Sequence, residues 1–233
     1  MSCPVFRHSQ GPAMILTPID HDALAPLLPA FRTALADLPL AAKVFDRVTA
    51  LIPEGSLMTL STDSTHHADA VELCRRFGFG ILDVDPKSWF TWDGTNVAIQ
   101  MEPSVLIHEV AHYQCASPER RAVLDFGLGC GPESGKRAEA DAVQTLFCPE
   151  RDVEEALCSL LGILWEAELD QPAVLAFLEQ NWMEGGTSLH NVAHFKKIVR
   201  WLDQMGLIDQ DGRPTMGLRT EADDTFFARW FAE

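Results

Sequence analysis

The sequence is poor in basic residues, with 18 Lys and Arg against 34 Asp and Glu among 233 residues, so its formal net charge is −16. A chain this acidic lacks the positive surface with which proteins bind nucleic acid or anionic membranes. We therefore expect neither of those partners. The expected substrate is a small molecule or a protein side chain.

The six cysteines include no Cys-x-x-Cys pair, which argues against a thiolate zinc ribbon or a dithiol redox motif. The N-terminal stretch has no apolar core of the kind found in signal peptides, and no apolar run reaches the length that crosses a bilayer. These absences predict a cytoplasmic protein with reduced thiols.

The most informative stretch is Val-Leu-Ile-His-Glu-Val-Ala-His at residues 105–112. His108 and His112 are four residues apart, so a helix would place both imidazoles on one face, one turn apart. Glu109 completes the HExxH pattern, in which two imidazoles bind a metal and the carboxylate handles a proton. Pro103 suits the first turn of such a helix. We therefore predict that His108 and His112 are metal ligands and that Glu109 is catalytic.

Two histidines alone bind a catalytic metal weakly, so a carboxylate from a later helix should complete the site. Glu139, at the start of the next predicted helix, is the favoured third ligand because of its position and its long reach. Asp141 is the alternative, since positions 139 and 141 face different directions on a helix and only one can bind. The expected cofactor is one divalent ion, either Fe(II) or Zn(II), and the spacing does not choose between them.

A second histidine pair, His190 and His194, is also spaced four residues apart. No acidic residue lies within a turn of this pair, which weakens the case for a second metal site there. His194 is nevertheless a candidate for lining the active site.

Apolar residues recur at helical spacing along most of the chain. Residues 80–84 predict a short strand, and residues 88–101, with Asp93-Gly94 at the turn, predict an antiparallel hairpin that leads into the HExxH helix. Leu57–Leu60 predicts one more short strand. Helices are predicted at about 21–51 with proline breaks, 66–77, from 133 or 136 to 147, 150–167, 171–182, 188–205 and 221–231.

These patterns predict a single α+β metalloenzyme domain over residues 1–233 that is mostly helical. A small antiparallel sheet would lie beside the metal-binding helix in a zincin-like core. The predicted parts are an N-terminal lobe of helices and hairpin at 1–95, a metal-binding core at 96–165 and a C-terminal helical lobe at 166–233.

Three stretches, the HExxH segment among them, together resemble the elongation factor P hydroxylase family. They are Ile-His-Glu-Val-Ala-His at 107–112, Arg-Arg-Ala-Val-Leu-Asp-Phe-Gly at 120–127 and Leu-Phe-Cys at 146–148, in the order found in that family. The resemblance covers roughly residues 96–165. It implies a metal-dependent hydroxylase in which His108, His112 and Glu139 hold the metal, with Fe(II) favoured over Zn(II).

The family's known substrate is a modified lysine on a translation factor, so such a lysine is a candidate substrate for this chain. The alternative hypothesis is a zinc metallopeptidase, in which Glu109 would act as general base on a metal-bound water. A non-catalytic metal-binding protein is the third hypothesis. The sequence makes no prediction of the oligomeric state.

Overall fold

The computed structural model describes residues 21–53, 64–184, 186–223, 226, 227, 229 and 230. The segment 1–20 and the predicted strand Leu57–Leu60 lie outside the described residues. Within them the chain is mostly helical, as predicted. The elements are α1 (His21–Ala34), α2 (Pro39–Val48), α3 (Ser64–Arg76), β1 (Gly80–Leu82), β2 (Asn96–Ala98), α4 (Pro103–Cys115), α5 (Arg137–Ala142), α6 (Glu150–Glu168), α7 (Val174–Glu179) and α8 (Leu189–Gln204).

Three predicted helices are several residues longer in the prediction than in the structure, and one of them, predicted at 171–182, is α7 at Val174–Glu179. The helix predicted to reach residue 147 ends as α5 at Ala142, because the backbone N–H groups of Thr145 and Leu146 both donate to Gly127 O. The predicted helix at 221–231 is wrong for residues 221–223, which are not helical. No helix among the described residues has the length and apolar character needed to span a membrane.

Helix α4, which carries the HExxH sequence, lies at the centre of the fold between α3 and α6. Pro103 occupies its first turn, as predicted. Its apolar side chains are removed from solvent, and burial of each large one contributes about 1.5–3 kcal/mol. The fully buried residues are Leu106, Ile107, Val110 and Ala111.

Helices α4 and α6 approach each other most closely at Gly162. A Cβ atom at this position would lie 3.5 Å from His108 Cα, which is direct van der Waals contact with the backbone of α4. Any side chain larger than alanine would therefore separate the two helices. Because Glu155 lies two turns before Gly162 on α6, the same contact brings Glu155 close to α4.

Helix α6 also contacts α2, α7 and α8, so helices from both ends of the described chain share one core with it. Four phenylalanine rings fill the space between these helices, with centroid separations of 5.1 to 6.2 Å. Most of the ring pairs meet edge to face, an arrangement that aromatic quadrupoles favour. The four rings belong to Phe31, Phe45, Phe177 and Phe195.

The predicted antiparallel hairpin is wrong, because β1 and β2 form a two-stranded parallel sheet. The predicted turn at Asp93-Gly94 leaves one isolated antiparallel bridge, between Trp92 and Val97. The residues before that turn do not form a strand, since their backbone groups bond to a loop instead. The carbonyl of Trp89 accepts from Gly135 N, and Thr91 N donates to Ser134 Oγ.

One buried acid on α6 makes the stability of the fold dependent on pH. Burial, reinforced by the carboxylate of Glu179, raises the pKa of Glu166 from 4.5 to about 8. Between pH 4.5 and 8 the folded chain keeps a proton that the unfolded chain loses. The free energy of unfolding therefore falls as the pH rises through this window.

We predict that Glu166→Gln raises the free energy of unfolding at pH 8 by on the order of a few kcal/mol and leaves it nearly unchanged at pH 4. The amide stays neutral, so the loss above pH 4.5 disappears. Urea unfolding at several pH values measures this difference, with Glu184→Gln as an exposed control. Parallel pH profiles for Glu166→Gln and the unaltered chain would contradict the prediction.

Candidate metal centre

The structure brings His108 and His112 of α4 together with Glu155 of α6. Glu155 Oε2 lies 3.6 Å from the Nε2 atom of each histidine, and the two imidazole centroids are 4.5 Å apart. Among the described residues, these three form the group whose ligand atoms all lie within 4.8 Å of one another and could hold a metal ion.

The spacing of these atoms fits a metal ion better than a hydrogen bond. Each Nε2–Oε2 distance of 3.6 Å exceeds the usual range for an N–H···O hydrogen bond. Ligand atoms placed at about 2.1 Å around a tetrahedral ion would be ~3.4 Å from one another. Two imidazoles and one carboxylate also form a ligand set that suits Zn(II) and non-haem Fe(II).

The protonation states of His112, which is buried, and of Glu155, which is partly exposed, are those that a metal requires. Burial lowers the pKa of His112 to about 3, and the opposing effect of the Glu155 carboxylate does not offset this. Burial alone would raise the pKa of Glu155, but His112 and then His108 outweigh burial and lower the pKa to about 2. At neutral pH the His112 ring is therefore neutral and Glu155 is an anion, as metal binding demands.

The third member of the group corrects the predicted ligand set. Glu139 is exposed in the first turn of α5 and does not belong to the group of potential ligands. The alternative, Asp141, uses its Oδ1 to accept a hydrogen bond of 2.8 Å from Cys130 N, and so anchors the glycine-rich loop. Glu155 takes the place of both because α6, and not α5, packs along α4.

A signal for Glu155 was present in the sequence. Glu155, Ser159 and Gly162 recur at i, i+4 and i+7, which places a carboxylate, a hydroxyl and a glycine on one face of α6. A face with so little apolar surface on a long helix is suited to a close helix contact and a polar cleft. The position of Glu139 at the start of the next helix and its long reach favoured that acid, which the structure does not bring to the two histidines.

Glu109 lies beside the two histidines in a buried carboxyl pair. Burial, followed by the carboxylates of Asp125 and Glu155, raises the pKa of Glu109 well above its usual range, against the effect of a hydrogen bond with Thr91. Thr91 Oγ1 also donates to Asp125 Oδ1 at 2.9 Å. A carboxyl group that keeps its proton to a higher pH than usual is suited to general acid–base work beside a metal.

One wall of the centre is formed by two residues in the left-handed backbone region, Asp125 with φ 43° and Phe126 with φ 53°. This conformation is uncommon for residues other than glycine and tends to occur at functional sites. The Phe126 ring stacks on the His112 ring at a centroid distance of 5.7 Å. His112 Nδ1 is buried with no hydrogen-bond partner among the described residues, so stacking orients this ring in place of the usual hydrogen bond.

The three potential ligands lie in a cleft of about 1270 Å³ between α4, α6, the glycine-rich loop and the start of α8. The side chain of Glu155 is 46% exposed, so the centre is open to molecules that enter the cleft. The walls carry eight acidic side chains and two arginines. The acidic residues are Glu102, Glu109, Asp125, Glu133, Asp141, Asp152, Glu155 and Glu179.

Of the second histidine pair, His194 lines this cleft, as predicted, whereas His190 is exposed. The His194 ring stacks on Trp182 at a centroid distance of 5.6 Å, and burial lowers the pKa of His194. Neither residue belongs to the group of potential metal ligands in the described part of the chain. His194 therefore forms part of an aromatic wall of the cleft.

Comparisons of this chain with protein-family models, with curated proteins and with solved structures gave no match. The function of the site therefore has to be inferred from its own residues and their geometry.

We predict that the full chain binds about one equivalent of a divalent metal and that Glu155→Gln weakens this binding by more than about tenfold. Loss of an outer partner alone costs a metal site about 10- to 100-fold, and Glu155 would touch the ion directly. Titration of the chelator-treated protein with Co(II), followed by calorimetry, measures the affinity.

His108→Ala should weaken Co(II) binding as Glu155→Gln does. The matched control is Glu139→Gln, which changes an exposed acid and should leave the affinity unaltered. The reverse result, with Glu139→Gln losing metal and Glu155→Gln retaining it, would restore Glu139 as the ligand.

Proposed function

We propose that the chain is a metal-dependent hydroxylase that uses Fe(II) and acts on a basic protein side chain. The observation that carries this proposal is the group formed by His108, His112 and Glu155 at the base of an open cleft. Two histidines and one carboxylate are the facial ligand set of non-haem iron oxygenases, and they leave coordination positions open. The packing of α4 and α6 beside a small sheet supports a zincin-like core.

When bound, Fe(II) supplies open coordination positions for oxygen and substrate. The remaining chemistry belongs to the side chains around it. Glu109 holds or accepts a proton next to the reacting atoms, and Thr91 fixes the position of its carboxyl group. The Phe126 ring shields His112 from water on one side.

The charge and size of the cleft support a basic side chain as the substrate. The eight acids that line the walls outnumber the two arginines, so the cleft attracts cationic groups. A volume of about 1270 Å³ exceeds what a small ligand fills, and this favours a segment of a protein. The resemblance of residues 107–112 and 120–127 to the elongation factor P hydroxylase family favours a modified lysine of that factor.

A zinc peptidase is the second candidate, because the same ligands suit Zn(II) and Glu109 could act as general base. Peptide substrates commonly add to an exposed strand edge. In the described residues neither β1 nor β2 contributes a side chain to the cleft, whose nearest lining residue in that region is Thr91. This arrangement favours the hydroxylase over the peptidase.

We predict that the Fe(II)-loaded protein adds one atom of molecular oxygen to the modified lysine of elongation factor P when oxygen and a two-electron reductant such as ascorbate are both supplied, and that the second oxygen atom is released as water. Mass spectrometry of the incubated factor measures the added mass. Glu109→Gln should retain the metal and lose most of the activity, because removing a general acid–base residue costs about 10²- to 10⁴-fold. Glu139→Gln is the control that should remain active.

Two results would reject this function. Cleavage of peptides by the Zn(II)-loaded protein, abolished in Glu109→Gln, would identify a peptidase. Binding of Fe(II) without added oxygen on the factor, and without peptide cleavage, would favour a non-catalytic metal-binding protein.

A further inference from the structure

Arg120 is buried, and its guanidinium contacts two residues, Glu154 and Phe126, that adjoin potential metal ligands. Its Nη1 donates to Glu154 Oε1 at 3.0 Å, and its Nη2 donates to the other oxygen of the same carboxylate. The same Nη1 also donates to Phe126 O at 2.8 Å. Arg120 is 3% exposed and Glu154 is fully buried, so these bonds are shielded from water and salt.

The bonds from Arg120 to Glu154 affect the position of Glu155, the acidic residue of the potential ligand group. Glu154 precedes Glu155 on α6, and a planar guanidinium that grips both carboxylate oxygens fixes the rotation of that turn. Arg219 adds a second cation on the same carboxylate, with its Nη1 3.7 Å from Glu154 Oε2. The turn of α6 that carries Glu155 is therefore held on a face about 100° from the one that carries Glu155.

The bond from Arg120 to the Phe126 carbonyl affects the orientation of His112. Phe126 has a left-handed backbone, and the bond from Arg120 to its carbonyl stabilises that conformation. The ring of Phe126 in turn stacks on His112, whose Nδ1 has no hydrogen-bond partner among the described residues. The orientation of the His112 ring thus depends on the segment that Arg120 holds.

We propose that Arg120 is a positioning residue of the metal centre, which sets Glu155 through Glu154 and His112 through Phe126. This inference rests on the proposed metal site but not on the reaction that the site performs. It gives a physical role to the Arg-Arg-x-x-x-Asp-Phe-Gly segment at 120–127. Gly127 follows Phe126 in the left-handed region, where a Cβ would lie 2.6 Å from Thr145 Oγ1 and 3.4 Å from Arg120 Cδ.

The test measures Co(II) binding by the full chain, with affinity from titration and ligand geometry from the ligand-field absorption of the bound Co(II). Arg120→Met should weaken the affinity by about 10- to 100-fold and change the absorption spectrum. Arg120→Met removes one cationic partner of the buried Glu154 carboxylate. The double variant R120M/E154M therefore removes both charges of this ion pair. Replacing a buried ion pair with apolar side chains of similar size often preserves folding.

We expect urea unfolding to show that R120M/E154M is folded, with some loss of stability because Arg219 also loses the Glu154 carboxylate, and that it keeps the weakened affinity and the altered spectrum. The matched control is Arg121→Met. Arg121 is the neighbouring arginine, whose guanidinium donates to Tyr113 O and Ala116 O at the end of α4. Arg121→Met should lower stability but leave the Co(II) spectrum unchanged.

A folded R120M/E154M protein with unaltered Co(II) affinity and spectrum would overturn the positioning role. Equal spectral changes in Arg121→Met and Arg120→Met would overturn it too, because they would reflect general loosening of α4. A failure of the metal site itself is distinguishable, since the unaltered chain would then bind no Co(II). Loss of the hydroxylase proposal alone would leave this result in place.

Discussion

The close contact between α4 and α6 is the constraint on which the site depends. Gly162 has no side chain, so α6 can lie against the backbone of α4 at His108. This contact brings Glu155 to the same side as His108 and His112, with equal distances of 3.6 Å to the two Nε2 atoms. Neither helix alone could bind a catalytic metal well, because two imidazoles from one helix leave the ligand set incomplete.

The adjacent glutamates of α6, Glu154 and Glu155, have different roles. Glu154 is paired with arginines, and Glu155 faces the histidines. An unpaired buried carboxylate would be costly, but here each carboxylate has cationic or metal-binding partners. Adjacent residues on one helix point about 100° apart, so one turn can serve both a structural ion pair and a metal centre.

The walls of the cleft suit a cationic molecule, which is the substrate class proposed for this centre. Acidic side chains attract such a substrate, and the volume of about 1270 Å³ admits a protein segment. Within the cleft, the buried Glu109 carboxyl is held through Thr91 and lies next to the potential ligands. A carboxyl group with a raised pKa, a group that could hold a metal ion and an entrance lined by acids therefore occur in one place, which supports the proposed function.

The amino-acid sequence by itself determined the local features: the helical HExxH segment with Pro103 in its first turn, the mostly helical content, and the spacing of His108 and His112. These depend on side chains a few residues apart, whose relative positions a helix specifies.

Tertiary structure alone decided that Glu155, and not Glu139, faces the histidines, and that β1 and β2 pair in parallel. The choice of acid depends on how α6 crosses α4. The expected hairpin keeps only the bonds around the Trp92–Val97 bridge, and a loop at Ser134 and Gly135 bonds to Trp89 O and Thr91 N. The periodic pattern of α6 marks a polar face but does not specify which helix that face meets, because contacts between residues far apart in the chain arise from packing and not from local backbone geometry.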